Sequence, residues 1–374
     1  MRWLLGILLG LSLAIGVQWR RQEAVPVLTV WVTAAEYDFL KGVNPEFEER
    51  FGVRIAMEVV PSGQIAGRLP VVIGSHRAPD IVNLPHTMIR TMVEQGYLAN
   101  MTGFFRELDL LESASYGFKV MGDFYGIPYE ATTDLLFYRK EAFPFGIERL
   151  ETGMTLSMNY RSLLHSLPFM TGFGGNAVGF DNFGDINFYA IGLNSEPSVA
   201  GIRFMVDLLD PAIKGETDYE VLASFVNGAS DLLIGPAHWL ASLEAVLPDV
   251  GVMAIPKMHA DYMPLTYMNL STYQLVAGSP NMELATSYMR FLMSDRVLGA
   301  RLAPIPVYRD FHGADPVFGA LQTQLQRALP VPNQLEFNYL YGAYQKSAVG
   351  FVSSPQEISR ILNEAVQELD QMGR

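Results

Sequence analysis

Asp123-Phe-Tyr-Gly-Ile-Pro-Tyr-Glu-Ala-Thr-Thr-Asp-Leu-Leu-Phe-Tyr-Arg-Lys-Glu-Ala-Phe143 sets two apolar runs on either side of a single acid. The pattern predicts a strand from Tyr125 to Tyr129, an exposed carboxylate at Glu130, and a second strand from Leu135 to Tyr138 closed by charges. Both runs have ordinary strand length, and Gly126 and Pro128 bend the path between them. Two readings stay open on these residues alone. In one, the first run finishes the sheet of one lobe and the second begins the sheet of another, so that Glu130 sits in a hinge facing a cleft. In the other, the two runs form an ordinary hairpin inside one domain, with Glu130 on its solvated edge.

Working outward, a chain of 374 residues suits two lobes better than one core, because single cores stop growing beyond roughly 250–300 residues. Hydrophobic residues make up 49% and charged residues 17%, enough to fill both. A net charge of −13 argues against nucleic acid and against an anionic membrane surface, both of which repel an acidic exterior. The absence of cysteine excludes disulfides, thiolate nucleophiles, cysteine-ligated metals and a lipid-anchor cysteine together. The six histidines show no paired metal-ligand spacing, and no cofactor is expected. The glycine-rich stretch Phe169 to Asn187 reads as a mobile or ligand-facing loop and not as a phosphate cradle, since no Lys-Ser/Thr follows it.

At the amino terminus Arg2 precedes an almost uncharged run, Trp3 to Trp19, ended by Arg20 and Arg21, and Ala14-Ile15-Gly16 fits a signal-peptidase site. Export follows. At about 17 residues the run also reaches the lower limit for a membrane span, so an uncleaved anchor is the second reading of residues 1–26. Beyond it the chain alternates: a strand at Val27 to Val32, a helix at Ala34 to Arg50 stopped by Phe51-Gly52, a strand at Val53 to Val60, a helix around Gln64 to Ile73, and a strand with its core at Pro79 to Asn83. That is an α/β signature. Ligands in such sheets bind beyond the carboxyl ends of the strands, which selects Thr33, Glu36, Tyr37, Asn83 and His86.

Further on, the strand Asp231 to Ile234 and the turn Gly235-Pro236 bring His238 and Trp239 to a strand's carboxyl end. There Trp239 is either a flat stacking face for a sugar ring or a core residue. Residues Arg301 to Asp315 read as a connection. The aromatic run Phe337, Tyr339, Tyr341 and Tyr344 reads as mostly core, with one or two members free to face a cleft, and an amphipathic helix from Ser354 to Met372 closes the chain.

These segments, taken in order over some 330 residues, resemble the bacterial extracellular solute-binding proteins of the sugar-binding type. The carrying residues are Trp31, Phe47-Glu48-Glu49-Arg50-Phe51-Gly52-Val53, Ala78-Pro79-Asp80-Ile81-Val82 and Tyr125-Gly126-Ile127-Pro128-Tyr129-Glu130. Phe225-Val226-Asn227-Gly228 with Gly235-Pro236-Ala237-His238-Trp239, and Ser279-Pro280-Asn281-Met282-Glu283-Leu284-Ala285, complete the set. The resemblance implies an α/β, two-lobed periplasmic-binding-protein fold of type II, with a ligand cleft between lobes joined by hinge crossings. Residues 27–129 with 268–305 would form one lobe, and 130–267 with 306–374 the other. It further implies a monomer that delivers its solute to the permease subunits of an ABC transporter outside the cytoplasm. By this resemblance Glu130 matches the crossing acid that binds sugar hydroxyls, Trp239 the stacking tryptophan, and Asn338-Tyr339 an aromatic position. Thr87-Met88 departs from the hydroxyl-binding Asp-Arg pair of the maltose-binding member, which speaks against maltose itself. The expected ligand-contact set is Trp31, Glu36, Tyr37, Asn83, His86, Glu130, Trp239, Asn338 and Tyr339, and the ligand is a mono- or oligosaccharide. Two rivals are a membrane-anchored sensing receptor and a glycosidase using Glu36 and Glu130 as its carboxylate pair.

Overall fold

The computed structural model describes residues 25–106, 108–180, 186–209, 217–301 and 316–372. The run Trp3 to Trp19, read as signal or anchor, and most of the connection 301–315 lie outside them. Among the described residues no helix is long and apolar enough to cross a membrane.

Strand β1, Val27–Val32, is a run of apolar and β-branched residues that leads into helix α1, Ala34–Phe51. Thr33 caps the helix by accepting the Glu36 amide on its hydroxyl, and Gly52 ends it in the left-handed region at φ 64°. Strand β2, Arg54–Val59, lies parallel to β1 on one side; after helix α2, Ser62–Val72, strand β3, Ile81–Pro85, lies parallel to it on the other. The carboxyl ends of β1 and β3 and the amino ends of α1 and α2 therefore share one edge of the molecule.

Strand β4 runs unbroken from Ile127 to Arg139, 13 residues long, where two separate strands were expected. Its first part, Ile127 to Thr133, pairs antiparallel with the ten-residue strand Thr266–Leu275. From Asp134 onward it pairs instead with Leu232–Pro236 and with Val250–Met253. In chain order these partners are β6, Leu232–Pro236, β7, Val250–Met253, and β8, Thr266–Leu275, while β5 is the short strand Leu156–Ser157, parallel to β6. β8 also pairs antiparallel with β3 and, at its start, parallel with β9, Ala328–Pro330. The sheet path is β2-β1-β3-β8-β4-β6-β5, and its partners change between Thr133 and Asp134, three residues after Glu130. The two apolar runs are thus neither a hairpin nor two strands; one strand serves both halves of the sheet.

Beyond the changeover, side chains alternate across β4. Leu135 and Phe137 join the large core cluster that contains Leu28, Val30, Phe47 and Tyr288, together with Val221, Phe225 and Trp239. Leu136 faces the other way, into a cluster with Leu156, Phe169, Ile202, Ile234, Tyr344 and Phe351. Helices α3, Leu163–Thr171, and α4, Glu196–Leu208, supply part of that second cluster, and α5, Asp218–Val226, part of the first. Helix α6, Met282–Leu292, follows β8, and α7, Pro316–Leu325, precedes β9. The aromatic run forms a helix, α8, Glu336–Ser353, with Phe337, Tyr344 and Phe351 buried and Tyr339 half-exposed; α9, Ile358–Met372, packs against it. The glycine-rich stretch begins inside α3 and continues into a hairpin of Val178–Phe180 with Ile186–Ile191.

The Ala78-Pro79-Asp80-Ile81-Val82 motif has a structural job. Asp80 is 3% exposed; it accepts the Thr29 amide at 2.7 Å, the Ser279 hydroxyl at 2.6 Å and the Asn281 side-chain amide at 3.2 Å. One carboxylate thereby ties β1, the start of β3 and the turn that opens α6. Asp80→Ala leaves these donors without an acceptor and is expected to cost roughly 2–4 kcal/mol of stability in urea unfolding; a loss below about 0.5 kcal/mol would show that the network carries no weight.

Candidate functional site

A cleft of about 370 Å³ opens at the shared edge of β1 and β3. Thr33, Ala35, Glu36 and Phe39 line it from the start of α1, Ser62 from the start of α2, and Asn83, Leu84 and Pro85 from the end of β3. Tyr129 and Glu130 of β4, Ser271 of β8, and Arg301 complete it.

Tyr129 and Glu130 are neighbours, and neighbours in a regular strand face opposite sides. A bulge resolves the conflict. Glu130 pairs with Ser271 but Pro128 pairs with Thr272, so Tyr129 is an extra residue on β4, and both side chains reach the cleft. Just before it, Gly126 sits at φ 103° with Gln274 packed so close that an added Cβ would lie 3.2 Å from its side chain. Only glycine takes that conformation there without strain.

Glu36 is buried, 4% exposed, and does not stand free. Arg301 donates to both of its oxygens, Nη1 to Oε2 at 2.9 Å and Nη2 to Oε1 at 2.8 Å, and Nη2 also donates to the Tyr273 hydroxyl at 2.9 Å. The guanidinium packs against the rings of Phe39 and Tyr129, 4.1 and 4.3 Å from their centroids. Burial pushes the Glu36 carboxyl above the ordinary range, Arg301 pulls it down, and Glu130 adds to the rise. The same burial, with Glu36 nearby, raises the Tyr129 phenol far above its usual value, so it is a neutral hydroxyl.

Asn83 lines the cleft but spends its side chain on the frame. Its amide donates to the Tyr129 hydroxyl and to the Thr272 carbonyl, both at 3.0 Å, and its oxygen accepts the Thr33 amide at 3.4 Å. Glu130 is the cleft's second carboxylate, half-buried and outside the Glu36–Arg301 pair.

The other expected contacts lie elsewhere. Trp31 is 1% exposed, part of the core cluster, with the Arg68 guanidinium stacked 4.8 Å from its ring centroid. Tyr37, one turn into α1, packs on the core and does not line the cleft. His86 is fully buried; its Nε2 donates to the Val331 carbonyl at 2.8 Å and its Nδ1 accepts the Leu270 amide at 3.2 Å. Burial holds this ring neutral, its pKa pushed down to about 4. Trp239 is 7% exposed and lies so tightly over Gly235 that an added Cβ would meet its ring at 2.2 Å, which is the core reading of that residue. Asn338 and Tyr339 sit on the first turns of α8, outside this cleft, with Tyr339 48% exposed.

Among the lining residues not singled out beforehand, Phe39, Tyr129 and Arg301 supply rings and charge. Phe39 follows one turn after Ala35 and Glu36 on the same face of α1, a spacing open to reading from the strand-end rule. Tyr129 depends on the bulge. Arg301 lies 265 residues from its partner, in a segment read as a connection, and no local pattern marks it.

A sheet of this path, with a cleft at the carboxyl ends of its parallel strands and one strand shared between two halves, defines a two-lobed binding-protein fold. Two solved structures share it with a TM-score of 0.83, each covering 94% of this chain and 98% of its own: a cyclo/maltodextrin-binding protein complexed with maltotetraose, 19% identical, and an extracellular solute-binding protein from Staphylococcus aureus in complex with maltose, 17% identical. The chain belongs to the bacterial extracellular solute-binding protein family, whose model matches residues 45–302. Among curated relatives, the galactooligosaccharide-binding protein of Bacillus subtilis (strain 168) is 25% identical over 90% of this chain and 88% of its own. The diacetylchitobiose binding protein DasA of Streptomyces coelicolor is 23% identical over 73% of this chain and 70% of its own.

Two outcomes are expected. Arg301→Ala strands a buried carboxylate and should cost roughly 3–5 kcal/mol in chemical denaturation, while the double variant Glu36→Gln with Arg301→Met should recover part of that loss. Because folded His86 titrates at about 4 and the unfolded ring near 6.5, stability is fully present above pH 6.5 and falls as pH drops toward 4, by at most about 3 kcal/mol. His86→Gln should lower the melting temperature and flatten this slope in melts taken from pH 4 to 7.5; an unchanged slope would remove His86 as its source.

Proposed function

We propose that this protein is an exported, non-catalytic receptor that captures an oligosaccharide between two lobes and hands it to the permease subunits of an ABC importer. The observation that carries the reading is the chemistry of the cleft. Among its described residues the single cation, Arg301, is already neutralised by Glu36, which leaves Glu130 as the carboxylate able to accept ligand hydroxyls. Phe39 and Tyr129 supply apolar ring surface beside it. A neutral polyhydroxylated ligand suits this combination and an anionic one does not. The names of the relatives and of the bound structures, all of them oligosaccharide binders, point the same way.

The lobe division drawn from the sequence is part of the proposal. The exchange of ladder partners after Thr133, and the long strand β8 that pairs with β3, β4 and β9, support crossings near Glu130 and residue 268. Closure about these crossings would sequester the ligand and create the surface a permease reads. Within the expected contact set, Glu130 is the direct ligand contact, Asn83 and Glu36 hold the cleft in shape, and Tyr339 is the exposed aromatic that the second lobe can bring to the ligand. The glycosidase alternative loses ground because both Glu36 oxygens are engaged by Arg301, which leaves no free second carboxylate among the described lining residues.

Calorimetric titration with galactooligosaccharides, diacetylchitobiose and maltotetraose tests this. One of them should bind, and Glu130→Gln should weaken it by about tenfold or more, the scale of one hydrogen bond to a charged group, with the melting temperature changed little. No heat with any sugar would count against the carbohydrate reading.

A further inference from the structure

The cleft described above is built by the starts of α1 and α2, the end of β3, Tyr129 and Glu130 of β4, Ser271 of β8 and Arg301. The half of the sheet beyond the changeover has its own polar surface. β5 and β6 are parallel and end at Ser157 and Pro236, and α5 enters the turn before β6, so its amino terminus returns to the same edge. The Asn159 side-chain amide, just past β5, donates to Asp218 on the first turn of α5 at 2.9 Å, and the Tyr341 hydroxyl of α8 meets Ser162 at 3.4 Å. Tyr219, beside Asp218, is 82% exposed. This is the carboxyl-end position at which open α/β sheets take ligands.

β4 links that surface to Glu130. Past the bulge its ladder is regular, so Glu130, Thr132 and Asp134 project from one face. The Thr132 hydroxyl on this row is buried with no hydrogen-bond partner. Asp134, at the changeover, accepts from Nδ1 of His165 on the first turn of α3 at 2.7 Å, with both side chains nearly buried. An acceptor-only carboxylate requires the proton on Nδ1 and so fixes the ring, turning Nε2 away from Asp134.

We propose that His165, oriented by Asp134, is the polar ligand contact of the second lobe, donating its Nε2 hydrogen to an oxygen of the captured sugar, a hydroxyl or an acetamido carbonyl. The inference rests on the receptor reading above. The charged groups on the surrounding elements are Asp134 of β4, Asp218 of α5 and Arg161 in the turn ahead of α3. Burial disfavours the charged ring, but Asp134 and, further off, Asp218 outweigh it, and the His165 pKa is raised. Below that raised value Nε2 carries a hydrogen and donates; as pH climbs past it the hydrogen is lost and Nε2 becomes an acceptor. Sugar affinity should fall on the alkaline side.

The test is calorimetric titration of the full chain at pH 5.5, 7.0 and 8.5, using whichever of galactooligosaccharide, diacetylchitobiose or maltotetraose the wild type binds most tightly. Wild-type affinity should weaken by about tenfold toward pH 8.5, and His165→Gln should be weaker by about tenfold at pH 5.5 and independent of pH. Asp134→Asn should shift the fall to lower pH, which a merely structural pair would not do. If the wild type binds a sugar and His165→Gln matches it at every pH, this inference is overturned while the receptor reading stands; if no sugar binds, both fall. Should His165→Gln fail to fold, the wild-type imidazole Nε2 resonance, identified by its displacement in Asp134→Asn, decides the matter: it must move on saturation with sugar, and an unmoved signal overturns the assignment.

Discussion

A β-strand has hydrogen-bonding edges on both sides, and β4 exchanges its partners partway along: β8 until Thr133, then β6 and β7 from Asp134. Everything that concerns ligand capture is referred to this strand. Before the exchange it delivers Tyr129 and Glu130 to the cleft; at the exchange it holds Asp134 against α3; after it, Leu135, Leu136 and Phe137 anchor two separate core clusters. A continuous backbone ladder transmits position over short distances more stiffly than a loop does, because each residue is held by the next hydrogen bond. The place where partners change is the place where that stiffness is broken.

The frame of the first-lobe cleft is made by charges and amides that the ligand does not need. Asp80 fixes the bases of β1 and β3, Asn83 fixes the loop after β1, and the Glu36–Arg301 pair fixes the amino end of α1 against the segment that follows Gly299. A buried bidentate pair contributes little net stability over an apolar replacement, but breaking it on one side is costly. Its value here is geometric. It holds a guanidinium flat against Phe39 and Tyr129 and neutralises the charge of Arg301 within the cleft.

The alternation of strand and helix from Val27 to Asn83, the stop at Gly52 and the amphipathic closing helix were all legible in the sequence, since each depends on neighbours within a few residues. Glu130, an acid between two apolar runs, was singled out too, and it lines the cleft. The strand-end rule also found Glu36 and Asn83, which do line the cleft. It misplaced His86, because the 3₁₀ turn after β3 swings that ring inward to the Val331 carbonyl, 245 residues away. Trp239 was left between sugar platform and core, and the backbone of Gly235 beneath its ring decides for the core.

What the sequence by itself determined is the class of architecture and the local grammar: short apolar strands, amphipathic helices, an acid between two apolar runs, and the order of segments that marks the solute-binding family. What only the tertiary structure decided is which of those residues share a site. Arg301 with Glu36, His165 with Asp134, and Tyr129 beside Glu130 are set by contacts across 265 residues, by contacts across 31, and by a one-residue bulge in a ladder. Periodicity records which way a side chain faces along its own element. Long-range pairing and bulges depend on how elements dock, and no local pattern encodes that.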